Sequence, residues 1–326
     1  MVKIALGRVL HGANITKQCL NRLEHQLLIA SISEVHSVWC ETRYTETGVF
    51  GLFYILLKNM TEMNIPTFET IKQELRGRVA ILKLNRPEAM NAINMKMRSE
   101  LRTALDDLRR DSQVGAVILT GAGEKAFSAG MDLREFSAMN ANIPIAEMKR
   151  YRWEQGEGIA AFDKPIIAAV NGLAIGGGVE LTLLCDFAFA ADQSSFAFGE
   201  VKRGLIPGNG GTQRLSRRIG TARALDMILT GRTVSASEAL SIGLVQYVVP
   251  QNELIEQAFK WAEMMAANAP VAVRSAKAAI HRGADLALAD GLRLEQDMAA
   301  FLYTTEDSKE GPQAFLEKRP AVWKGK

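Results

Sequence analysis

Short apolar runs bounded by turn residues alternate with amphipathic helical periods from Phe68 onward. Few architectures satisfy both patterns at once. Strands are predicted over 78–85, 115–120 and 166–170, each an apolar run too short for a helix. Between them Met97, Leu101, Leu105 and Leu108 recur at helical spacing over 94–110, and a second helix is predicted over 146–162. Strands interleaved with helices imply an α/β core. After about Gly211 the pattern turns helical. Helices are predicted over 221–230, 251–268, 270–282 and 286–304, a short one near 312–318, and one short strand over 244–249. The expected layout is an α/β core over 67–265 and a helical region over 266–326.

The first 66 residues show no sustained period. Their longest apolar run, over 49–57, has nine residues, whereas spanning a bilayer takes about 20. No charged stretch followed by an apolar one opens the chain, so a secretory signal is not indicated. Glu24 and Glu34 interrupt any transit-peptide composition. The expectation is an extension of unknown role, either disordered or a product of start-site choice, since Met60 and Met63 stand just before the patterned sequence. A cytoplasmic location is expected, or the mitochondrial matrix should the extension act as a transit peptide.

Sparse residue types narrow the chemistry. Lys and Arg number 39 against 36 Asp and Glu, a net charge of +3, with no run of five basic residues. A nucleic-acid surface is not indicated, and no membrane partner is expected. Three cysteines are too few and too scattered for a disulfide framework or a cysteine-based zinc site. Of four histidines only His281 lies beyond position 66. An enzyme built from 67–326 must therefore run on carboxylates, Lys, Tyr, Ser or backbone dipoles, and no metal is expected.

The densest local signal lies over 164–186, where a buried strand ends at Asn171-Gly172 and Gly176, Gly177 and Gly178 lead into a helix. Glycines let a ligand approach the backbone, and the first helical N–H groups are unpaired. A dinucleotide fingerprint fails because Leu181 stands where Gly is needed, and no phosphate-binding P-loop pattern occurs. The glycines more readily present donors to an oxyanion. Glu180 follows on a helix apolar nearly all round, hence a buried one. Alone, it fits equally a carboxylate that complements the helix N-terminus. In 195–200 a strand period would align Phe196, Phe198 and Glu200, a setting that raises a carboxyl pKa. An ion pair of Glu200 with Lys202 or Arg203 is the plainer alternative. The loop over 125–133 offers Ala129-Gly130 as a small surface and the Met131 N–H as a second donor, though it also reads as an ordinary loop. Ser128 lacks the surroundings of a nucleophile. The glycine-rich turn over 206–215 reads as a rigid connection.

Together, Leu84-Asn-Arg-Pro-Glu-Ala-Met-Asn-Ala92, Ala126-Phe-Ser-Ala-Gly-Met-Asp-Leu133, Asn171-Gly-Leu-Ala-Ile-Gly-Gly-Gly-Val-Glu180 and Ile206-Pro-Gly-Asn-Gly-Gly-Thr-Gln-Arg214 resemble the enoyl-CoA hydratase/isomerase (crotonase) superfamily. The tail Glu310-Gly-Pro-Gln-Ala-Phe-Leu-Glu-Lys-Arg319 fits as well, so the resemblance spans roughly 67–326. It implies a spiral of β-β-α units with a helical C-terminal trimerisation region, and a homotrimer or homohexamer. It implies an acyl-CoA substrate, with coenzyme A as part of that substrate and no separate cofactor. The thioester oxygen would be held by the N–H groups of Met131 and Gly177. Ala89, Ala129, Asp132, Leu133 and Arg134 would contact the substrate, and Glu180 and Glu200 would be the acid–base pair of a hydratase. Glu88 stands where several relatives carry a basic residue, and Trp323 would cover a neighbouring subunit's ligand. An enoyl-CoA isomerase, or another acyl-CoA lyase or hydrolase of this family, is the nearest alternative. An RNA-binding protein on the same fold is the alternative of another class.

Overall fold

The computed structural model describes residues 68–140 and 158–326. The chain divides into Met1–Thr67 and Phe68–Lys326, and all described residues belong to the second unit. The expectations for 1–66, and for the helix over 146–162 as far as residue 157, lie outside the described residues.

The predicted buried runs form the centre of a six-stranded sheet. Strands β1 (Ile71–Arg76) and β2 (Val79–Leu84) make an antiparallel hairpin in which Arg76 pairs with Val79 across a turn at Gly77, φ 56°. Helix α1 (Met95–Arg110) follows, opened by Asn94, whose side chain accepts from the Met97 N–H at 2.8 Å. Then come β3 (Ala116–Gly121), β4 (Ala126–Ser128), α2 (Leu133–Asn140), β5 (Ile166–Val170), β6 (Leu173–Ile175), α3 (Gly177–Leu184), β7 (Phe187–Ala191) and β8 (Ser195–Ala197). The pattern is β-β-α, repeated. Both strands of the first repeat enter the larger sheet; in the repeats that begin at β3, β5 and β7 the first strand enters the larger sheet and the second a smaller one. After α4 (Gly211–Ile219), α5 (Thr221–Thr230), β9 (Thr233–Ser235), α6 (Ala236–Ser241) and β10 (Tyr247–Val249), the sheets are complete. Their orders are β1-β2-β3-β5-β7-β10 and β4-β6-β8-β9, parallel except for β1/β2 and β8/β9.

Central strands are apolar on both faces because both faces are covered. In β3, Val117 and Leu119 join one core while Ala116 and Ile118 join the other; in β5, Ile166, Ala168 and Val170 divide from Ile167 and Ala169 in the same way. The first core holds α1, α3 and the smaller sheet. The second is closed by α7 (Leu254–Ala266), through Leu254, Ala258, Phe259, Ala262 and Ala266. Beyond it lie α8 (Pro270–Gly283), α9 (Leu288–Leu302) and α10 (Asp307–Leu316). The C-terminal segment folds back on this region: Asp307 accepts from the Lys324 and Gly325 N–H groups at 2.7 and 2.9 Å. Trp323 donates to Ala267 O at 2.8 Å within its own chain.

Three departures from the sequence reading have physical causes. Strand β1 carries mostly exposed residues at a sheet edge, so no apolar run announces it. Strand β9 is three residues long. And β8 ends at Ala197, so Glu200 does not continue a strand face with Phe196 and Phe198. It lies instead in an αR turn, φ −63° and ψ −42°, while both aromatic side chains are sealed in the core.

Candidate active site

Strand β5 delivers the chain to Asn171, whose side chain donates to Gly123 O at 2.7 Å and accepts from the Gly121 N–H at 3.0 Å. The strand end is thereby locked. After β6, Gly176 adopts φ 51° and ψ −111°, and its N–H donates to Ala197 O at 2.8 Å. That conformation favours glycine and aims the first turn of α3 outward. Opposite stands Gly130, φ 84°, whose neighbour Met131 is bridged to Ile93. A Cβ on Gly130 would lie 2.5 Å from Ile175 O and 3.0 Å from Gly177 N, and one on Gly177 would lie 3.5 Å from Met131 N. The two loops touch backbone to backbone. Among the described residues no acceptor takes the N–H of Met131 or of Gly177.

Glu180 is 3% exposed, on the first turn of α3. Its Oε1 accepts from the N–H groups of Asn209 and Gly211, at 2.7 and 2.9 Å. The glycine-rich turn read as a connection therefore anchors this carboxylate, and the start of α4 supplies one of the donors. Backbone donors carry no residue-type signature, so the sequence alone does not single them out. Glu200 contrasts with it. A Cβ on Gly176 would lie 2.5 Å from Glu200 Oε1, and Glu200 Oε2 is shut off from solvent with no hydrogen-bond partner among the described residues. Burial pushes the Glu200 carboxyl above the usual range and the Glu180 charge adds to that, opposed in part by the Glu200 backbone N–H, by Arg203 and by the Gly199 N–H. The plainer ion pair is absent: Lys202 Nζ donates to Gly231 O at 2.7 Å and Arg203 Nη1 to Gly199 O at 2.8 Å. Ser128 is structural, its Oγ donating to Asn91 O at 2.9 Å and accepting from the Gly130 N–H at 3.1 Å.

Ala89, Ala129, Met131, Asp132, Leu133, Arg134, Gly177, Glu180 and Glu200 all line one cleft of about 880 Å³. The structure thus brings these nine residues together. Ala129 N–H donates to Met90 O at 2.9 Å, which joins the two alanine-bearing loops. The Asp132 carboxylate is committed to the Arg86 guanidinium at 2.9 Å and to the N–H groups of Arg134 and Glu135, while its backbone N–H donates to Ile93 O at 3.0 Å and its C=O accepts from the Phe136 N–H at 2.9 Å. Burial would raise that carboxyl, but Arg86 and the two amides hold it below the usual range. Glu88 lies on the cleft wall, as do Arg86, Arg98 and Arg203, three arginines to which the sequence reading gave no site role. A narrow cleft with two unpaired donors and two dissimilar carboxyls can stabilise charge on one atom while moving protons at others.

The family model described as enoyl-CoA hydratase/isomerase matches residues 74–326. The chain is 43% identical over 258 residues to the probable enoyl-CoA hydratase of Rhizobium meliloti, covering 79% of this chain and 99% of that protein. It is 40% identical over 260 residues to the mitochondrial enoyl-CoA hydratase of Pongo abelii, covering 79% and 88%. The crystal structure of enoyl-CoA hydratase from Bacillus anthracis superposes with a TM-score of 0.74 at 41% identity, covering 79% of this chain and all of that one. The chain belongs to the enoyl-CoA hydratase/isomerase family, the crotonase superfamily of enzymes.

Proposed function

We propose that this chain adds water to a 2-enoyl-CoA thioester, giving the 3-hydroxyacyl-CoA, and that it works as a homotrimer or homohexamer. One observation carries the reading: two glutamates, one anchored by two backbone N–H groups and one buried with its carboxyl pKa raised, share a cleft with two backbone N–H groups that no acceptor among the described residues takes. Glu180, fixed through Oε1, keeps Oε2 to orient a water and take its proton. The water oxygen bonds to the β-carbon as the α,β double bond shifts its electrons toward the thioester carbonyl. Charge collecting on that oxygen is met by the Met131 and Gly177 N–H groups, the second at a helix N-terminus. Glu200, biased toward its neutral form, gives its proton to the α-carbon. The pair then resets by exchanging one proton, and its two ionisations belong to the pair rather than to either residue.

A panel of 2-enoyl and 3-enoyl CoA thioesters with mass-spectrometric product analysis tests this. The expected result is a hydrated product from 2-enoyl thioesters. Double-bond migration without net water uptake would replace the reading with an isomerase, and salt-sensitive retention of RNA without turnover would replace it with a binding protein.

A further inference from the structure

We propose that Arg203 is the positioning residue for Glu200, clamping the peptide before that glutamate while closing the turn after it; this rests on Glu200 acting as proton donor. The need for a clamp follows from the fold. Strand β8 stops at Ala197, so no sheet bonds hold Glu200. The segment over 199–205 is instead tied by Arg203 from two directions. Its Nη1 donates to Gly199 O at 2.8 Å, and its backbone N–H donates to Glu200 O at 2.9 Å, where Leu205 N–H also donates at 3.0 Å. Gly199 makes room for this. A Cβ there would lie 2.6 Å from Arg203 Nη1, so the guanidinium packs directly over the bare Cα.

Charge supports the same assignment. Arg203 lines the cleft and makes no ion pair among the described residues. The charged groups acting on Glu200 are Glu180, which raises its pKa, and Arg203, which lowers it; neighbouring Lys202 sends its ammonium to Gly231 O instead. A guanidinium at this place keeps a buried carboxyl able to lose its proton and recover it within each turnover. Without it, only the backbone N–H groups of Glu200 and Gly199 would oppose burial and the Glu180 charge, and the acid would hold its proton more tightly.

The test uses Arg203→Gln, which keeps a donor and removes the charge, and Arg203→Lys, which keeps the charge and removes the planar fork. Arg203→Gln is expected to lower kcat by ~10–100-fold, as displaced reacting groups do, with KM for the thioester little changed. It should also move the high-pH limb of kcat/KM upward, while Arg203→Lys leaves that limb in place. The Glu200 carboxyl, identified by its loss in Glu200→Gln, is followed in parallel by ¹³C NMR on the full chain. Its midpoint should rise in Arg203→Gln only. That readout needs no turnover, so a protein that hydrates nothing sinks the proposed reaction and still answers for Arg203. An unmoved midpoint with native kcat overturns the proposal. So does a loss confined to KM for acyl groups bearing a carboxylate, which would make Arg203 a substrate contact.

Discussion

Glu180 and Glu200 carry the same functional group and differ in their partners, and the proposed division of their chemistry rests on that difference. Two backbone N–H groups bind Glu180 Oε1, whereas Glu200 Oε2 has no hydrogen-bond partner among the described residues. Replacing either with Gln keeps size and should leave thioester binding intact. Removing a placed acid or base commonly costs ~10²–10⁴ in rate, so kcat should fall in each variant, and the double variant should lose far less than the product of the two. Because the proposed mechanism uses Glu200 protonated, kcat/KM should decline as pH rises through its raised pKa, so the alkaline limb should lie above the ordinary Glu value of about 4.3. A limb at the ordinary value in stopped-flow hydration assays would remove Glu200 as the acid. Gly176→Ala tests the geometry separately. Its Cβ would meet Glu200 Oε1 at 2.5 Å in a sparsely populated backbone region, φ 51° and ψ −111°, that costs an L-residue roughly 1–3 kcal/mol. The expected outcome is a modest drop in Tm with a kcat loss near that of removing Glu200. At this scale Glu180, Glu200, Gly130, Gly176 and Gly177, which line the cleft, are marked in the sequence by residue type and spacing. The Asn209 and Gly211 donors are not, since any residue but proline has an N–H.

Helix α8 has no fully buried residue, and what ties it to the core is polar. Asp186, at the end of α3, accepts from Lys277 Nζ at 2.9 Å and pairs with His281 Nε2 at 2.8 Å, and Lys277 also donates to Lys164 O at 2.8 Å. Burial would raise the Asp186 carboxyl, but His281, Lys277 and the Ile166 N–H hold it below the usual range. A depressed folded-state pKa stabilises above the unfolded value, roughly 3.9, and that contribution drains away as pH falls through the folded one. Asp186→Asn should therefore cost about 1.5–3 kcal/mol near neutrality, the range for hydrogen bonds to charged groups, and the difference from the parent should shrink in strong acid. Denaturant melts at both pH values check it; equal losses at both would mean the carboxylate charge is irrelevant. Sequence periodicity finds α8 itself, with helix predicted over 270–282 against Pro270–Gly283 observed. It finds neither this anchor nor β1, because ion pairs across 91 residues and solvent-facing edge strands leave no local period.

Over the whole molecule, apolar side chains are distributed unevenly. The two cores are closed, yet Ile280 on α8, Leu288 on α9, and Phe315 and Leu316 on α10 are all more than 70% exposed, with Phe301 also largely uncovered. A monomer rarely leaves that much large apolar surface in water. Burying these side chains against a second copy would return about 25 cal/mol per Å² of apolar area, and the same residues in each copy would serve each interface of a closed ring. The helical region is legible in the sequence as helices, but its exposed face is not, because amphipathic periodicity does not distinguish a stripe facing its own core from one facing a neighbour. We expect a trimer or hexamer by sedimentation velocity at micromolar protein. Phe315→Asp combined with Leu288→Asp should shift the distribution toward monomer, since an unpaired carboxylate in an apolar interface is costly, while the far-UV spectrum of the α/β core stays native. A parent chain that sediments as a stable monomer would refute the assembly and leave these residues without a partner.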